Sequence, residues 1–100
     1  MRTLHFTFPA TLRAERRVHV GVVGSGDLEV LFEPAAGGTA TVRVRTSVDG
    51  FDEVWRCALQ RFFARMPVQG SWELNDAGAT PALVTLRLHQ AAAQAGGEAS

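Results

Sequence analysis

The chain has 100 residues, of which 46% are hydrophobic, and its ten arginines balance ten acidic residues, with no lysine at all. This neutral and evenly spread charge excludes the basic footprint of a nucleic-acid-binding protein, and the hydrophobic content excludes a disordered chain. No apolar run reaches the roughly 20 residues of a membrane span, no signal-peptide core is visible, and the lone Cys57 has no partner for an internal disulfide, so we expect a cytoplasmic protein.

The first third of the chain predicts β-strands, because hydrophobic and polar residues alternate along it. Leu4, Phe6 and Phe8 share one face of a first strand, which Pro9 ends. After the charged connector "ATLRAERR", two valine-rich runs flank a short segment around Gly24 and Gly26, which we interpret as the turn of a β-hairpin. The positions expected to face inward in this hairpin are Val18, Val20, Val22, Leu28, Val30 and Phe32.

A further strand is predicted in "TATVRVRTSV", after the loop "PAAGG", with Val42 and Val44 facing inward. If this strand lies beside the preceding one, opposite charges meet across their solvent face. We therefore expect cross-strand ion pairs among four side chains, Glu29, Glu33, Arg43 and Arg45.

The period changes to that of a helix in "SVDGFDEVWRCALQRFFARMP". Asp49 is the predicted N-cap and Pro67 ends the helix. Cys57 lies beside the apolar stripe, so we interpret it as a structural thiol and not as a nucleophile. The residues predicted to form the apolar stripe are Phe51, Trp55, Ala58, Leu59, Phe62 and Met66.

The last third of the chain combines a short strand, "GSWELND", with a segment that admits two interpretations. "LVTLRLH" alternates like a strand, but Thr80 and Pro81 are typical of an N-cap and a first helical residue. Because the alanine-rich "QAAAQA" follows, we favour a helix from about Pro81 to Gln94. Strands followed by helices, without βαβ alternation, predict an α+β domain at residues 1–95: an antiparallel sheet of four to five strands with two helices packed on one face. The tail, 96–100, is expected to be disordered.

The residues show no catalytic or metal-binding set. The glycines of "VVGSGDLEV" precede a strand and not a helix, which excludes a phosphate-binding loop, and Val23 occupies the place of a glycine that a nucleophile elbow needs. The three histidines, at positions 5, 19 and 89, have no partners at ligand spacing. Ser25 is left as either an ordinary turn residue or a residue modified by another enzyme, since its hydroxyl is a weak nucleophile without an adjacent base.

Three segments, taken in order, resemble the acyl carrier (delta) subunit of bacterial malonate decarboxylase: "VGVVGSGDLEVLFEPA", "VRTSVDGFDEVWRCALQRFFARM" and "ELNDAGATPALVTLRLHQA". The resemblance covers about Val18 to Ala92. The carrier (gamma) subunit of citrate lyase shares a looser form of the pattern, whereas "HFTFPAT" and "SVDGF" fit the malonate branch better.

The resemblance implies that Ser25 carries a 2'-(5''-phosphoribosyl)-3'-dephospho-CoA group through a phosphodiester. Gly24 and Gly26 would give a modifying enzyme close access to the backbone. Asp27 would orient the incoming group, recruit a partner, or only stabilise the turn. The terminal thiol of the group would carry acetyl and malonyl thioesters during the decarboxylation of malonate to acetate and CO2.

The implied partners are proteins and not nucleic acids or membranes. They are the alpha, beta and gamma subunits of malonate decarboxylase, a malonate/acyl transferase, and a phosphoribosyl-dephospho-CoA transferase that loads Ser25. The chain itself would be non-catalytic. The alternatives are the carrier subunit of citrate lyase and an unmodified protein-interaction module.

Overall fold

The computed structural model describes residues 1–96, which form one five-stranded sheet and two helices. The elements are β1 (Arg2–Pro9), β2 (Val18–Val20), β3 (Leu28–Pro34), β4 (Thr39–Thr46), α1 (Asp52–Arg65), β5 (Gly70–Asp76) and α2 (Pro81–Ala95). Within residues 1–96, no helix is long and apolar enough to cross a membrane. The tail expected to be disordered lies outside the described residues, apart from Gly96, which ends α2 in the left-handed conformation (φ 79°).

The strand order is β1-β4-β5-β3-β2, and this confirms the predicted α+β fold with five strands and two helices. Three of the strand pairs are antiparallel, but β4 and β5 are parallel. The sheet is therefore mixed and not wholly antiparallel as expected. The cause is α1, which carries the chain back along the sheet so that β5 starts at the same end as β4, in one βαβ unit that the sequence pattern did not predict.

The predicted pairing of Glu29 and Glu33 with Arg43 and Arg45 is wrong. Strand β5 lies between β3 and β4, so these charges are on strands that do not touch. Each strand's charges instead meet those of its actual neighbours. The ion pairs formed on this face of the sheet are Arg17–Glu33 and Arg43–Glu73, and His19 forms a hydrogen bond with Glu29.

The other face of the sheet is the core, and both helices cover it. Val44, Leu74 and Val30 lie side by side across three strands and are fully buried. Trp72 is also buried, and its indole N–H donates to the carbonyl of Val68 at 3.3 Å, so its one polar atom is satisfied. The helical residues that complete the core are Trp55, Leu59, Phe62 and Phe63 from α1, and Val84, Leu88, Ala91, Ala92 and Ala95 from α2.

Helix α1 follows most of the predicted stripe, since Trp55, Leu59 and Phe62 are buried. The prediction is wrong for Phe51, which precedes the helix and is 48% exposed, and it missed Phe63, which is buried.

Two further details of α1 differ from the prediction. Asp49 is not the N-cap: the helix begins after Phe51, which has no side-chain cap, and Asp49 instead pairs with Arg2 at 3.6 Å. Cys57 is exposed, because it is two residues from the buried Trp55 and Leu59 and therefore points away from the face that they share. The thiol is on the solvent side of the helix and not packed beside the stripe.

Helix α2 resolves the ambiguity of the last segment in favour of the helix. The Thr80 hydroxyl oxygen accepts a hydrogen bond from the amide of Leu83 at 3.2 Å, and Pro81 is the first helical residue. The helix ends at Ala95, one residue beyond the prediction. Leu86, which a strand would have buried with its alternating neighbours, is 50% exposed.

Candidate functional site

The predicted hairpin is present, but a loop of seven residues, 21–27, joins its strands in place of a tight turn. We call this segment the serine loop. Val18 lies opposite Phe32 and Val20 opposite Val30, as the alternation requires. The prediction that Val22 faces inward is wrong, since it is 59% exposed. Gly21, with a φ of 73°, turns the chain out of the strand before Val22 is reached.

Ser25 is at the corner of a β-turn within the serine loop. The amide of Asp27 donates to the carbonyl of Gly24 at 2.9 Å, which leaves Ser25 and Gly26 as the two central residues. Gly26 has a φ of 76°, as the third position of a type II turn requires. The Ser25 side chain is exposed, and a Cβ placed on Gly26 would meet no atom within 4 Å. The turn therefore presents the serine hydroxyl to an open space.

The carboxylate of Asp27 holds the serine loop to helix α2. Its Oδ1 accepts from Nε of Arg87 at 2.9 Å and from the amide of Leu28 at 2.7 Å. Its Oδ2 accepts from Nη2 of Arg87 at 3.2 Å and from the amide of Val22 at 3.4 Å. Such two-point pairing fixes orientation as well as distance. Only 18% of the Asp27 side chain and 24% of the Arg87 side chain are exposed, so the pair is mostly shielded from solvent.

Arg87 is the residue of this site that the sequence did not reveal. It is 60 residues from Asp27 in the chain, and no local pattern connects the two. The one signal in the sequence is that Arg87 places a charge inside the apolar run "LVTLRLH". Of the three roles considered for Asp27, the geometry shows the turn-stabilising one directly.

Hydrogen bonds from the Arg87 guanidinium, and then from the Leu28 amide, hold the pKa of Asp27 below its usual value of 3.8. A carboxyl group whose pKa is lowered by folding stabilises the folded chain above the unfolded pKa. That stabilisation is lost as the pH falls through the folded pKa, which lies below 3.8. At neutral pH Asp27 is therefore ionised and fully engaged in holding the loop.

The serine loop is also tied to the segment between β5 and α2. The amide of Gly26 donates to the carbonyl of Ala77 at 2.8 Å, and the amide of Ala77 donates to the carbonyl of Asp27 at 3.0 Å. These bonds extend the β3–β5 ladder by one step beyond the pairing of Leu28 with Asp76. The turn that carries Ser25 is thus held by backbone bonds on one side and by Arg87 on the other.

The three histidines lie apart from one another, and two of them contact other side chains of the fold. Nε2 of His19 lies 2.9 Å from Glu29, the ring of His89 contacts Phe62 at 5.0 Å between centroids, and His5 is exposed on β1. Among residues 1–96, no group of three or more His, Cys, Asp or Glu side chains could hold a metal ion. The structure therefore brings none of these groups together into a metal site.

A cavity of about 320 Å³ opens between the N-terminal ends of α1 and α2. Its walls are mainly apolar and include Phe51, Trp55 and Val84. Asp76 is its ionisable lining residue, and the carboxylate accepts hydrogen bonds from the Thr46 hydroxyl at 2.9 Å and from two loop amides. This acid is committed to structure, so the cavity offers no free acid or base from its lining.

Replacing Arg87 with methionine will loosen the serine loop, because methionine keeps much of the side-chain volume but removes the donors that hold Asp27. We expect the pKa of Asp27 to rise and the amides of Val22 and Leu28 to exchange faster with solvent. NMR titration of the carboxyl carbon and hydrogen exchange measure the two effects. Arg61→Met, on the exposed face of α1, is the matched control and should change neither quantity. An unchanged titration of Asp27 in Arg87→Met contradicts the assignment.

Comparison with known proteins gives concordant matches in sequence and in structure. Residues 15–95 match the family model of the malonate decarboxylase delta subunit. The chain is 50% identical over 97 residues to the malonate decarboxylase acyl carrier protein of Burkholderia cepacia, covering 94% of this chain and 90% of that one. It is 50% identical over 92 residues to the protein of the same name from Azotobacter vinelandii, covering 91% of this chain and 93% of that one. A chain in the crystal structure of a Pseudomonas malonate decarboxylase hetero-tetramer in complex with malonate superposes with a TM-score of 0.88, at 43% identity, covering 94% of this chain and 98% of that one.

Proposed function

The chain belongs to the malonate decarboxylase delta-subunit family of acyl carrier proteins, and we propose that Ser25 is the residue to which its prosthetic group is attached. Its function is that of an acyl carrier, which holds acyl groups on a covalently bound prosthetic group. The observation that carries the proposal is the exposed Ser25 at the corner of a turn that Asp27 and Arg87 hold rigid. An attachment point needs both a free hydroxyl and a fixed position, and Ser25 combines the two.

The group we propose is 2'-(5''-phosphoribosyl)-3'-dephospho-CoA, joined by a phosphodiester. The residues of the serine loop fit such a group. The space over Gly26 is open, so a bulky substituent on Ser25 meets no side chain there. Residues 21–26 carry no charged side chain, and the carboxylate of Asp27 is turned toward Arg87. A phosphodiester at Ser25 therefore meets no unpaired carboxylate within its own loop.

When bound, the group supplies a terminal thiol for acetyl and malonyl thioesters, whose carbonyl accepts the electrons left behind when CO2 departs. The chain's own residues fix the position of the attachment point. Asp27 and Arg87 hold the turn, so movement is confined to the attached group while the body of the carrier stays docked. Tethering in this way makes each encounter with a partner intramolecular, with effective concentrations that reach the millimolar range.

We infer that the partners of the chain are the alpha, beta and gamma subunits of malonate decarboxylase, together with a malonate/acyl transferase. The support is the similarity to a chain of the Pseudomonas hetero-tetramer. We also propose that a phosphoribosyl-dephospho-CoA transferase loads Ser25 and that the chain alone is not catalytic. We place the assembly in the cytoplasm, where the exposed thiol of Cys57 stays reduced.

Intact-mass spectrometry of the chain purified from its native host during growth on malonate tests the proposal. We expect the mass of the polypeptide plus one phosphoribosyl-dephospho-CoA group. The same chain made in a host that lacks the transferase should show the polypeptide mass alone. An unmodified chain in cells that are consuming malonate refutes the proposal.

A further inference from the structure

Two large hydrophobic side chains close to Ser25 in the sequence are exposed to solvent. Val22 and Val23 are 59% and 60% exposed, and they precede Ser25 by three and two residues. Side chains of this kind normally contribute to a core, and β2 ends at Val20, just before these two valines. The core therefore gives no reason for their presence on the loop.

The surroundings of Ser25 offer very little else for another protein to recognise. Residues 21–26 read Gly-Val-Val-Gly-Ser-Gly, so the valines are the side chains on this segment that are larger than serine. The carboxylate of Asp27 is occupied by Arg87. The adjoining segment, Ala77 to Ala79, consists of two alanines and a glycine. Recognition through these two segments therefore depends on apolar contact and not on charge.

The two valines are displayed on a backbone that is already ordered. The amide of Val22 donates to Oδ2 of Asp27, and Gly21 before it packs directly against the carbonyl of Leu28. A partner that covers the valines therefore pays little conformational entropy to order the loop. Apolar side chains presented on an ordered backbone are well suited to enter a complementary apolar pocket.

An enzyme that modifies Ser25 cannot avoid the valines. Successive Cα atoms are about 3.8 Å apart, so Val23 and Val22 are at most about 8 and 11 Å from Ser25 along the backbone. Loading forms one O–P bond at Oγ of Ser25 and breaks one P–O bond in an activated polyphosphate ester. The leaving phosphate takes that electron pair, and the serine proton passes to a base of the enzyme. An active site built around Oγ therefore extends over both valines.

We propose that Val22 and Val23 form the docking surface for the enzyme that loads Ser25, and that this enzyme receives them in an uncharged, apolar pocket. The inference rests on the proposed attachment at Ser25. It adds the feature by which the loading enzyme would choose that serine. Ser71 is also exposed, on the open face of the sheet, but its sequence neighbours are Gly70 and Trp72, and Trp72 is buried. The valine pair thus distinguishes the turn of Ser25 from the surroundings of Ser71.

The test is the rate of loading of a Val22→Thr, Val23→Thr double variant by the purified loading enzyme and its precursor. Threonine has the shape and branching of valine but replaces a methyl group with a hydroxyl. We expect the apparent KM for the carrier to rise about tenfold, because two methyl-sized apolar contacts are lost, while kcat is unchanged. Initial rates by intact mass, over a range of carrier concentrations, give both constants.

Val48→Thr, the same substitution at a 40% exposed valine after β4, is the matched control and should load like the unaltered chain. Thermal unfolding of the double variant should match that of the unaltered chain, because both altered side chains are already in solvent. An unchanged KM overturns the inference, and so does a fall in kcat alone, which would give the valines a positioning role. Normal loading with weakened binding to the decarboxylase subunits assigns the surface to those partners and also overturns it. If the unaltered chain is not loaded at all, the proposed attachment at Ser25 fails first.

Discussion

Replacing Ser25 with alanine will reduce malonate-dependent CO2 release to background in a complex reconstituted with the variant chain. This result follows from the proposed attachment: alanine has no hydroxyl oxygen to form the proposed phosphodiester, so no thioester would reach the decarboxylating subunits. The fold should survive, because the side chain is exposed and none of its packing is lost. We expect the free energy of unfolding to change by no more than about 0.5 kcal/mol.

Two variants make this result specific to the attachment point. Ser71→Ala removes an exposed hydroxyl from the open face of the sheet and should leave CO2 release unchanged. Ser25→Thr restores a hydroxyl at the turn and should recover part of the activity if the loading enzyme accepts the added methyl group. Full activity of a stably folded Ser25→Ala chain is incompatible with attachment at this residue.

Gly21→Ala will destabilise the chain by more than about 3 kcal/mol, whereas Gly26→Ala will cost only about 1–2 kcal/mol. Both glycines have a positive φ, 73° and 76°, so both substitutions force alanine into the left-handed region. The difference lies in what the new methyl group meets. At Gly21 the Cβ would lie 1.9 Å from the carbonyl oxygen of Leu28, whereas at Gly26 there is no atom within 4 Å.

The clash at Gly21 involves main chain and not a flexible side chain, so it is relieved only by moving β3 away from the loop. Because β3 pairs with β5 as well as β2, that movement disturbs the centre of the sheet. Urea denaturation of the two variants measures the difference directly. Equal losses of unfolding free energy at the two positions contradict the close approach of Gly21 to Leu28.

The elements that could be predicted from the sequence are those whose signals are local. Alternation of apolar residues around Val20 and Val30 predicts two facing strands, and the spacing of Trp55, Leu59 and Phe62 predicts a helix. Thr80, followed by a proline, marks the start of α2. Each of these signals lies within a short stretch of sequence, and the structure has each element where the pattern predicts it.

The order of the strands could not be predicted in this way. Alternation identifies which residues of a strand face inward, but it says nothing about which strand is the neighbour. The sequence places β3 and β4 next to each other in the chain, whereas helix α1 returns β5 between them. The prediction that Glu29 and Glu33 pair with Arg43 and Arg45 is wrong for this reason. Glu73 of the inserted strand pairs with Arg43 instead.

In the candidate site, too, the local features could be predicted from the sequence and the tertiary contact could not. Gly24, Ser25 and Gly26 predict a turn from their residue types alone, and the order of the flanking segments suggested a role for the serine. The ion pair that fixes the turn joins Asp27 to Arg87, which is 60 residues away in the chain. The two residues meet because α2 packs against β2 and β3. A contact of this kind is set by tertiary packing and leaves no local pattern.

The most direct test of the central claim is to locate the adduct within the natively loaded chain. Trypsin, cutting after Arg17 and Arg43, releases residues 18–43, and further cleavage after Glu29 leaves residues 18–29. Ser25 is the one hydroxyl-bearing residue of that shorter peptide. We predict that the whole added mass appears on residues 18–29, with fragment ions that place it on Ser25. An unmodified 18–29 peptide, or an adduct on any other part of the chain, contradicts the account.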